Sequence, residues 1–301
     1  MSLPLDIFTP IQAAILLGIA ALLGACLGSF INCLAWRLVQ GESVLKGRSH
    51  CTTCGHVLGP LDLVPVVSWL ALRGRCRHCG QRVGMRYLVV EVLTAAVFVA
   101  LLVTRGLSVA TLAYLVLACL LMGASLVDLD TFTIPNGFVI VGVVLWAASI
   151  WFMRVPPSGT FGVGTLFAPL LGRGWLSVAL DGVIGAVAVG GGILVFSMVF
   201  DAITHRTSLG GGDVKLLFMV SLFLGVAGSL LNVLLACVLG LVFAAVRGKA
   251  SRPEIPATSS ADGDQESFRT RAIPFGPAIA AATMLTLTVG PSMLGWYVGL
   301  L

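Results

Sequence analysis

Eight long apolar runs dominate the chain, at roughly residues 10–36, 87–104, 107–127, 137–153, 178–200, 214–228, 229–247 and 275–300. A bilayer cannot satisfy open backbone N–H and C=O groups, so runs of this kind cross it only as helices. Of the 301 residues, 58% are hydrophobic and 10% charged, which excludes an ordinary soluble domain. The expected fold is an all-α polytopic membrane protein with about eight transmembrane helices. Runs that meet near 104–107 and near 228–229 leave almost no loop, so each pair should be an antiparallel hairpin.

Charge sets the orientation. With the N-terminus outside, the loops at 37–86, 201–215 and 247–272 face the cytoplasm and hold 8, 2 and 5 of the 18 Lys and Arg residues. The outer side keeps Arg105, Arg154 and Arg173, a strong positive-inside bias. The start, MSLPLDIFTP, has no basic residue, so the first run reads as an anchor and not a cleaved signal. Both termini then lie outside. The net charge of +5 is spread in a way that points to the bilayer and not to nucleic acid. The chain divides into a first helix (1–36), a cytoplasmic module (37–86) and a membrane domain (87–301) with a linker at 248–272 of polar, mobile composition. Residues 154–176, rich in Gly, Pro and Phe, read as an external or re-entrant segment.

The module carries CTTCG and CRHCG. Cys51, Cys54, Cys76 and Cys79 form two C-x2-C knuckles, the spacing of a four-thiolate tetrahedral Zn²⁺ site. A glycine after each pair (Gly55, Gly80) permits the tight turn around a metal. Four sulfurs complete the shell, so the zinc is expected to be structural. A redox dithiol pair is the other reading of C-x2-C. Cys26, Cys33, Cys119 and Cys237 fall inside runs and read as small buried apolar residues.

Carboxylates are scarce in the runs, and ionisable groups at membrane depth are expensive. Asp128 ends the third run in SLVDLDTFTIPN, and Asp213 opens the sixth in LGGGDVKLL. The topology brings both to the cytoplasmic edge. Two such acids permit an aspartyl dyad: they share a proton, one activates water, and the other polarises a scissile carbonyl. A lone aspartate at a run's end also serves as a helix cap. Asp130 lies about 200° around a helix from Asp128, so the two cannot face one partner.

These residues resemble a known family. GSFINCLAWRL (Gly28–Leu38), the double CxxC with DLVPVVSWLALRGRCRHCG, RYLVVEVLTAAVF (Arg86–Phe98), DLDTFTIPN, GGGDVKL and PFGPAIA (Pro274–Ala280) are similar, in order, to the motifs of type IV prepilin peptidases. These are bacterial inner-membrane aspartyl proteases of the GxGD class. The resemblance implies that Asp128 and Asp213 are the catalytic pair. It implies prepilin or type II secretion pseudopilin substrates, cut after a glycine that ends a basic leader, on the cytoplasmic side. It also implies methylation of the new N-terminus with S-adenosylmethionine, with no residues assigned to that cofactor. Two departures stand out: VLKGRSH replaces the usual Pro-containing run before the first CxxC, and 154–176 and 248–272 are longer than the family minimum.

A substrate helix must unwind to be cut. Gly210, Gly211 and Gly212 leave room for its backbone, and their amide groups can pair with it as an added strand. Pro274, Gly276 and Pro277 should keep the opposite wall from starting an ordinary helix. Lys215 is expected either to pair with one of the acids or to snorkel. Glu42, Asp62 and Glu91 are candidates to meet a basic leader, with Glu91 also read either as a structural ion pair with Arg86 or as a residue of methylation. GACLG (Gly24, Gly28) reads as a helix-packing face with Asn32 on the same ridge, and VGGGI as close packing inside a run. Two other functions fit membrane acids less well. A proton- or cation-coupled transporter calls for acids at the midplane, and a zinc-module scaffold would leave both aspartates dispensable.

Overall fold

The computed structural model describes residues 5–43, 47–153, 167–204, 210–250 and 274–299. Most of 154–176 and of the linker at 248–272 lies outside them. Eight helices carry the architecture: α1 (Pro10–Gln40), α2 (Met85–Arg105), α3 (Val109–Thr131), α4 (Asn136–Ser149), α5 (Trp175–Thr204), α6 (Gly211–Ala250), α7 (Gly276–Thr288) and α8 (Gly290–Val298). Among the described residues there is no strand, only two isolated β-bridges in the module. Five helices are long and apolar enough to cross a bilayer, and a sixth if the bent pair α7 and α8 counts as one span. Length and composition thus give five or six spans where eight were expected, and the difference falls at three places.

The first is α4, extended by a 3-10 turn to Phe152, an apolar helix shorter than the other spans. The second is the last run, which bends by 70° between α7 and α8. Pro291 explains the bend: it has no N–H to give to the carbonyl of Leu287 one turn earlier. That carbonyl instead accepts from Arg105 Nε at 2.8 Å. The third is α6, expected as a hairpin closing at 228–229.

The described span of α6, 35 residues, would reach about 52 Å if straight, well beyond a hydrocarbon core of about 30 Å. It is broken at Gly225, whose φ of 68° and ψ of −173° are non-helical. Gly106, which joins α2 to α3, has almost the same geometry, φ 67° and ψ −177°. Only glycine adopts it without strain. Before the break, α6 packs on α5: a Cβ on Gly182 or Gly190 would strike the Leu222 carbonyl or Phe218. After it, α6 packs on α7, with Gly228 beside Thr286, Asn232 Nδ2 donating to Thr283 Oγ1 at 2.8 Å, and Gly240 beside Phe275. Thr286 sits next to the Leu287 carbonyl held by Arg105, and Phe275 next to the Gly276 amide held by Asp128. The two arms thus run to the Arg105 end of the bundle and back. The reversal falls at Gly225, three residues earlier than expected. Asp181 Oδ1 accepts from the Val226 amide at 3.3 Å and caps the returning arm.

α3 is the centre of the bundle, touching α1, α2, α4 and α7. Leu117, Leu121 and Ala124 on it are almost fully buried. α1 and α2 pack through the GxxxG face: a Cβ on Gly24 would lie 2.8 Å from Ala95 Cα, and one on Gly28 3.0 Å from Glu91 Cα. Of the VGGGI glycines only Gly190 is in close contact; Gly191 and Gly192 face open space. α1 continues to Gln40, past the expected end at 36, and stops at Gly41 in the left-handed region. Cys26 and Cys237 are exposed on the bundle surface, correcting the expectation that they are buried.

Candidate active site and metal centre

Asp128 lies in the last turn of α3 and is 4% exposed. Phe132 ends this helix in the left-handed region, φ 55°, and its amide donates to the Asp128 carbonyl. The side-chain oxygen Oδ2 of Asp128 accepts from the Gly276 amide at 3.0 Å, at the start of α7. A helix N-terminus presents unpaired amides and the positive end of the dipole, so a carboxylate is well placed there. A Cβ on residue 276 would sit 2.8 Å from that same oxygen, so glycine is required by this contact.

PFGP does not hold irregular backbone as expected. The helix starts at Gly276, with Pro277 in the first turn, where its missing N–H costs nothing. Pro274 is buried and Pro277 half-buried.

Asp213 occupies the first turn of α6, and its amide donates to the Gly210 carbonyl at 3.0 Å. The three glycines are not a flexible break either, because Gly211 and Gly212 are already helical. They differ in surroundings. Gly212 packs on Ile134, with a Cβ position 3.2 Å away, whereas Gly211 faces open space. Ile134 belongs to the turn that follows Asp128, so this contact docks the start of α6 beside the end of α3. Asp213 lies within electrostatic range of Asp128. The two acids are therefore brought together at one end of the bundle.

The neighbouring charges are accounted for. Lys215 Nζ donates to Asn136 Oδ1 at 3.1 Å, and pairs with neither acid. Asp130 Oδ1 pairs with Arg86 at 2.7 Å, and Arg86 also donates to the Leu126 carbonyl at 3.2 Å. The expected Arg86–Glu91 pair is thus replaced. Glu91 turns instead to the module, where Oε2 accepts from the Val66 amide at 2.7 Å. Asp62 pairs with Arg77 at 2.8 Å, and the Arg77 hydrogen bond holds its carboxyl below the usual range. Asp62 is thus held by Arg77, and Glu91 is buried with one oxygen on the Val66 amide. Glu42 is exposed at the end of α1.

The sulfur atoms of Cys51, Cys54, Cys76 and Cys79 all lie within 4.8 Å of one another, a group that can hold a metal ion. The two knuckles are built alike. The Cys51 carbonyl accepts from the Gly55 amide at 2.9 Å and the Cys51 amide donates to the His56 carbonyl at 2.9 Å; the Cys76 carbonyl accepts from the Gly80 amide at 3.0 Å and the Cys76 amide donates to the Gln81 carbonyl at 2.8 Å. Gly55 and Gly80 take φ of 69° and 70°, as the turn requires. Backbone amides of Cys54 and Thr53 pull the Cys51 thiol down to about 6, while, against the pull of the Gln81 amide, burial and hydrogen bonds from the other three sulfurs push Cys79 up to about 11. His56 and His78 stack on each other, centroids 3.4 Å apart, outside the sulfur group.

Comparison with known proteins places these features in a family context. Residues 22–105 match the bacterial peptidase A24 N-terminal domain, and residues 115–245 match the type IV leader peptidase family. The chain is similar to proteins named prepilin leader peptidase/N-methyltransferase. It is 32% identical to one from Aeromonas hydrophila over 85% of this chain and 76% of the relative. It is 30% identical to one from Pseudomonas putida, over 94% of each chain. It is 29% identical to one from Bacillus subtilis (strain 168), over 94% of this chain and 98% of the relative. No solved structure matches.

Proposed function

The chain belongs to the type IV leader peptidase family, and from that premise we propose that it is a membrane aspartyl endopeptidase acting on prepilins or pseudopilins. The reading assigns cleavage after the leader's glycine to Asp128 and Asp213, and methylation of the new N-terminus to the same chain. The observation that carries the first activity is that Asp213, at the start of α6, lies within electrostatic range of Asp128, which the Gly276 amide fixes at the end of α3.

Close carboxylates do not both ionise readily, so the pair holds one proton between them. The ionised partner takes a proton from water, which attacks the scissile carbonyl. The protonated partner donates to the carbonyl oxygen as negative charge develops there. Gly210 and Gly211, both exposed, leave a path for a substrate backbone beside Asp213. Gly212, Pro274, Gly276, Pro277 and Lys215 act by holding this wall: Gly212 against Ile134, Gly276 against Asp128, and Lys215 against Asn136.

The group of four cysteines suits structural Zn²⁺. Zn–S bonds of about 2.3 Å make a tetrahedron with edges near 3.8 Å. The Cys51 and Cys79 sulfurs are 3.9 Å apart. Four thiolates leave no open position, so this metal holds the module together. S-adenosylmethionine, when bound, supplies an electrophilic methyl group for the new amine. We read residues 37–86 as the cytoplasmic module and 87–301 as the peptidase domain, with the N-terminus and C-terminus outside and the acids at the inner face. The charge distribution supports this orientation.

The test is cleavage of a prepilin peptide with a basic leader by the purified protein and by Asp128→Asn and Asp213→Asn. Each substitution is expected to lower kcat at least about 1,000-fold. Wild-type turnover in either variant would overturn the dyad.

A further inference from the structure

The cysteine module turns an apolar edge outward. Leu61, Leu63, Val64, Val67 and Leu70 are all exposed, Leu61 at 73% and Val67 at 61%. They fall in PLDLVPVVSWLA, a 3-10 turn at Pro60–Leu63 followed by a short helix at Val67–Ala71. Val67 and Leu70, three residues apart, share one face of that helix. Ser68, Trp69 and Leu72 turn the other way and line a cavity of about 270 Å³ against α1 and α2. A contiguous apolar patch left bare on a small module marks a contact surface.

The depth of this edge says what covers it. The Val66 amide donates to Glu91 Oε2 at 2.7 Å, and Glu91 is buried. Glu91 comes six residues after Met85, about 9 Å along α2. With 21 residues, α2 is about 31 Å long, the thickness of a hydrocarbon core. It has no length to spare, so its first turns already lie in the bilayer. The turn at Val66 folds back along them to the level of Glu91. Interfacial helices rest about 5–10 Å into the boundary of headgroups and acyl chains, the same depth. On α1 the cavity is lined from Arg37 to Ser29, about 12 Å of helix. The module thus lies alongside both helices and not beyond their ends.

The backbone is built for that depth. Val66 has φ 63° and ψ −53°, a conformation that a β-branched residue rarely takes. Its surroundings fix it, because Glu91 takes its amide and the Val67 amide closes on the Pro65 carbonyl at 2.6 Å. A free N–H in this layer would be costly, and the Glu91 carboxylate satisfies it.

Charge points to the same partner. Residues 47–84 hold Arg48, Arg73, Arg75, Arg77 and Arg82 against one acid, Asp62, which Arg77 already occupies. Four thiolates around a zinc ion leave that balance positive. Arg73, Arg75 and Arg82 are exposed, and among the described residues no carboxylate pairs with them. Arg73 lies just beyond the helix that carries Val67 and Leu70.

We propose that residues 60–71 form an interfacial segment that docks the module on the anionic inner leaflet. Leu61, Leu63, Val64, Val67 and Leu70 enter the acyl boundary, and Arg73, Arg75 and Arg82 meet lipid phosphates. This surface is independent of the two aspartates.

The test places the photoreactive residue p-benzoylphenylalanine at Leu70, and in a second protein at Val67, of the full-length chain. Each protein is irradiated in nanodiscs of equal parts phosphatidylglycerol and phosphatidylcholine, and its adducts are identified by mass spectrometry. The same probe at Leu22, exposed within α1, is the positive control. Both module positions should capture phospholipid. Phosphatidylglycerol should exceed phosphatidylcholine at least about fivefold, the effect of a single arginine near an anionic surface. Arg73→Gln, Arg75→Gln and Arg82→Gln together should bring that ratio toward one and keep the lipid adducts. Metal content and thermal unfolding equal to wild type certify each protein; if one probe position fails this check, the other decides. Adducts with a second copy of the chain, or none with lipid while Leu22 gives them, would overturn the docking surface. Equal capture of the two lipids by the protein with all its arginines would overturn the role of the anionic headgroups.

Discussion

At the scale of single residues, Gly276 is the position with least freedom. Its amide holds Asp128 Oδ2 at 3.0 Å, and any Cβ would stand 2.8 Å from the same atom. Gly276→Ala is expected to push the carboxylate out of line and lower kcat for prepilin cleavage roughly 10- to 100-fold. The chain should still fold, because helix α7 keeps its Pro277 start. Asp130 is the contrasting residue. It differs from Asp128 by two positions, yet it faces Arg86 in a pair that is about a third exposed on each side. Asp130→Asn should cost less than about 1 kcal/mol in thermal unfolding and leave kcat within about twofold. The helical angle between the two acids was enough to say that only one could meet Asp213. The angle alone did not say which; Asp128 is the one within electrostatic range of Asp213.

At the scale of elements, α6 is the segment whose form the sequence left open. Its apolar residues run on from 216 to 246 with only Ser221, Ser229 and Asn232 among them, so composition does not mark where it turns. Two glycines, Gly225 and Gly228, lie close to the expected reversal. The choice of Gly225 comes from Asp181 on α5, which caps Val226 and fills the space beside residue 225. A Cβ there would lie against the Asp181 carboxylate, and the backbone conformation is one that glycine alone takes easily. Gly225→Ala is therefore expected to destabilise the protein by at least about 1–3 kcal/mol, read as a lower unfolding temperature in detergent. Gly228→Ala should do less, since its Cβ would meet only side-chain carbons at 3.1 Å and beyond. The last run shows the same lesson in another form. Pro291 was visible in the sequence, but the bend it permits depends on Arg105, from another helix, taking the freed Leu287 carbonyl.

At the scale of the whole molecule, a small module with a four-cysteine group that can hold a metal ion is joined to a helical bundle. The module contains few buried apolar side chains, and its two knuckles meet through the four sulfurs. Chelation, or Cys51→Ser, should remove one metal ion per chain and open residues 47–84 to protease, with the helices remaining protected. Mass spectrometry of the fragments checks both statements. What the sequence determined by itself was the class: apolar runs that only helices can satisfy, cysteine spacing that suits a metal, and acids scarce enough at the ends of apolar runs to stand out. These follow from local chemistry, namely backbone solvation, ligand spacing and the cost of burying charge. Tertiary structure decided which partners those groups meet. Gly276 takes Asp128, Ile134 docks Gly212, and Asn136 takes Lys215. Each contact joins elements distant along the chain, and its selection depends on how helices pack. The same is true of Glu91: its spacing from Arg86 suggested an ion pair, and packing gave it Val66 and a cavity instead.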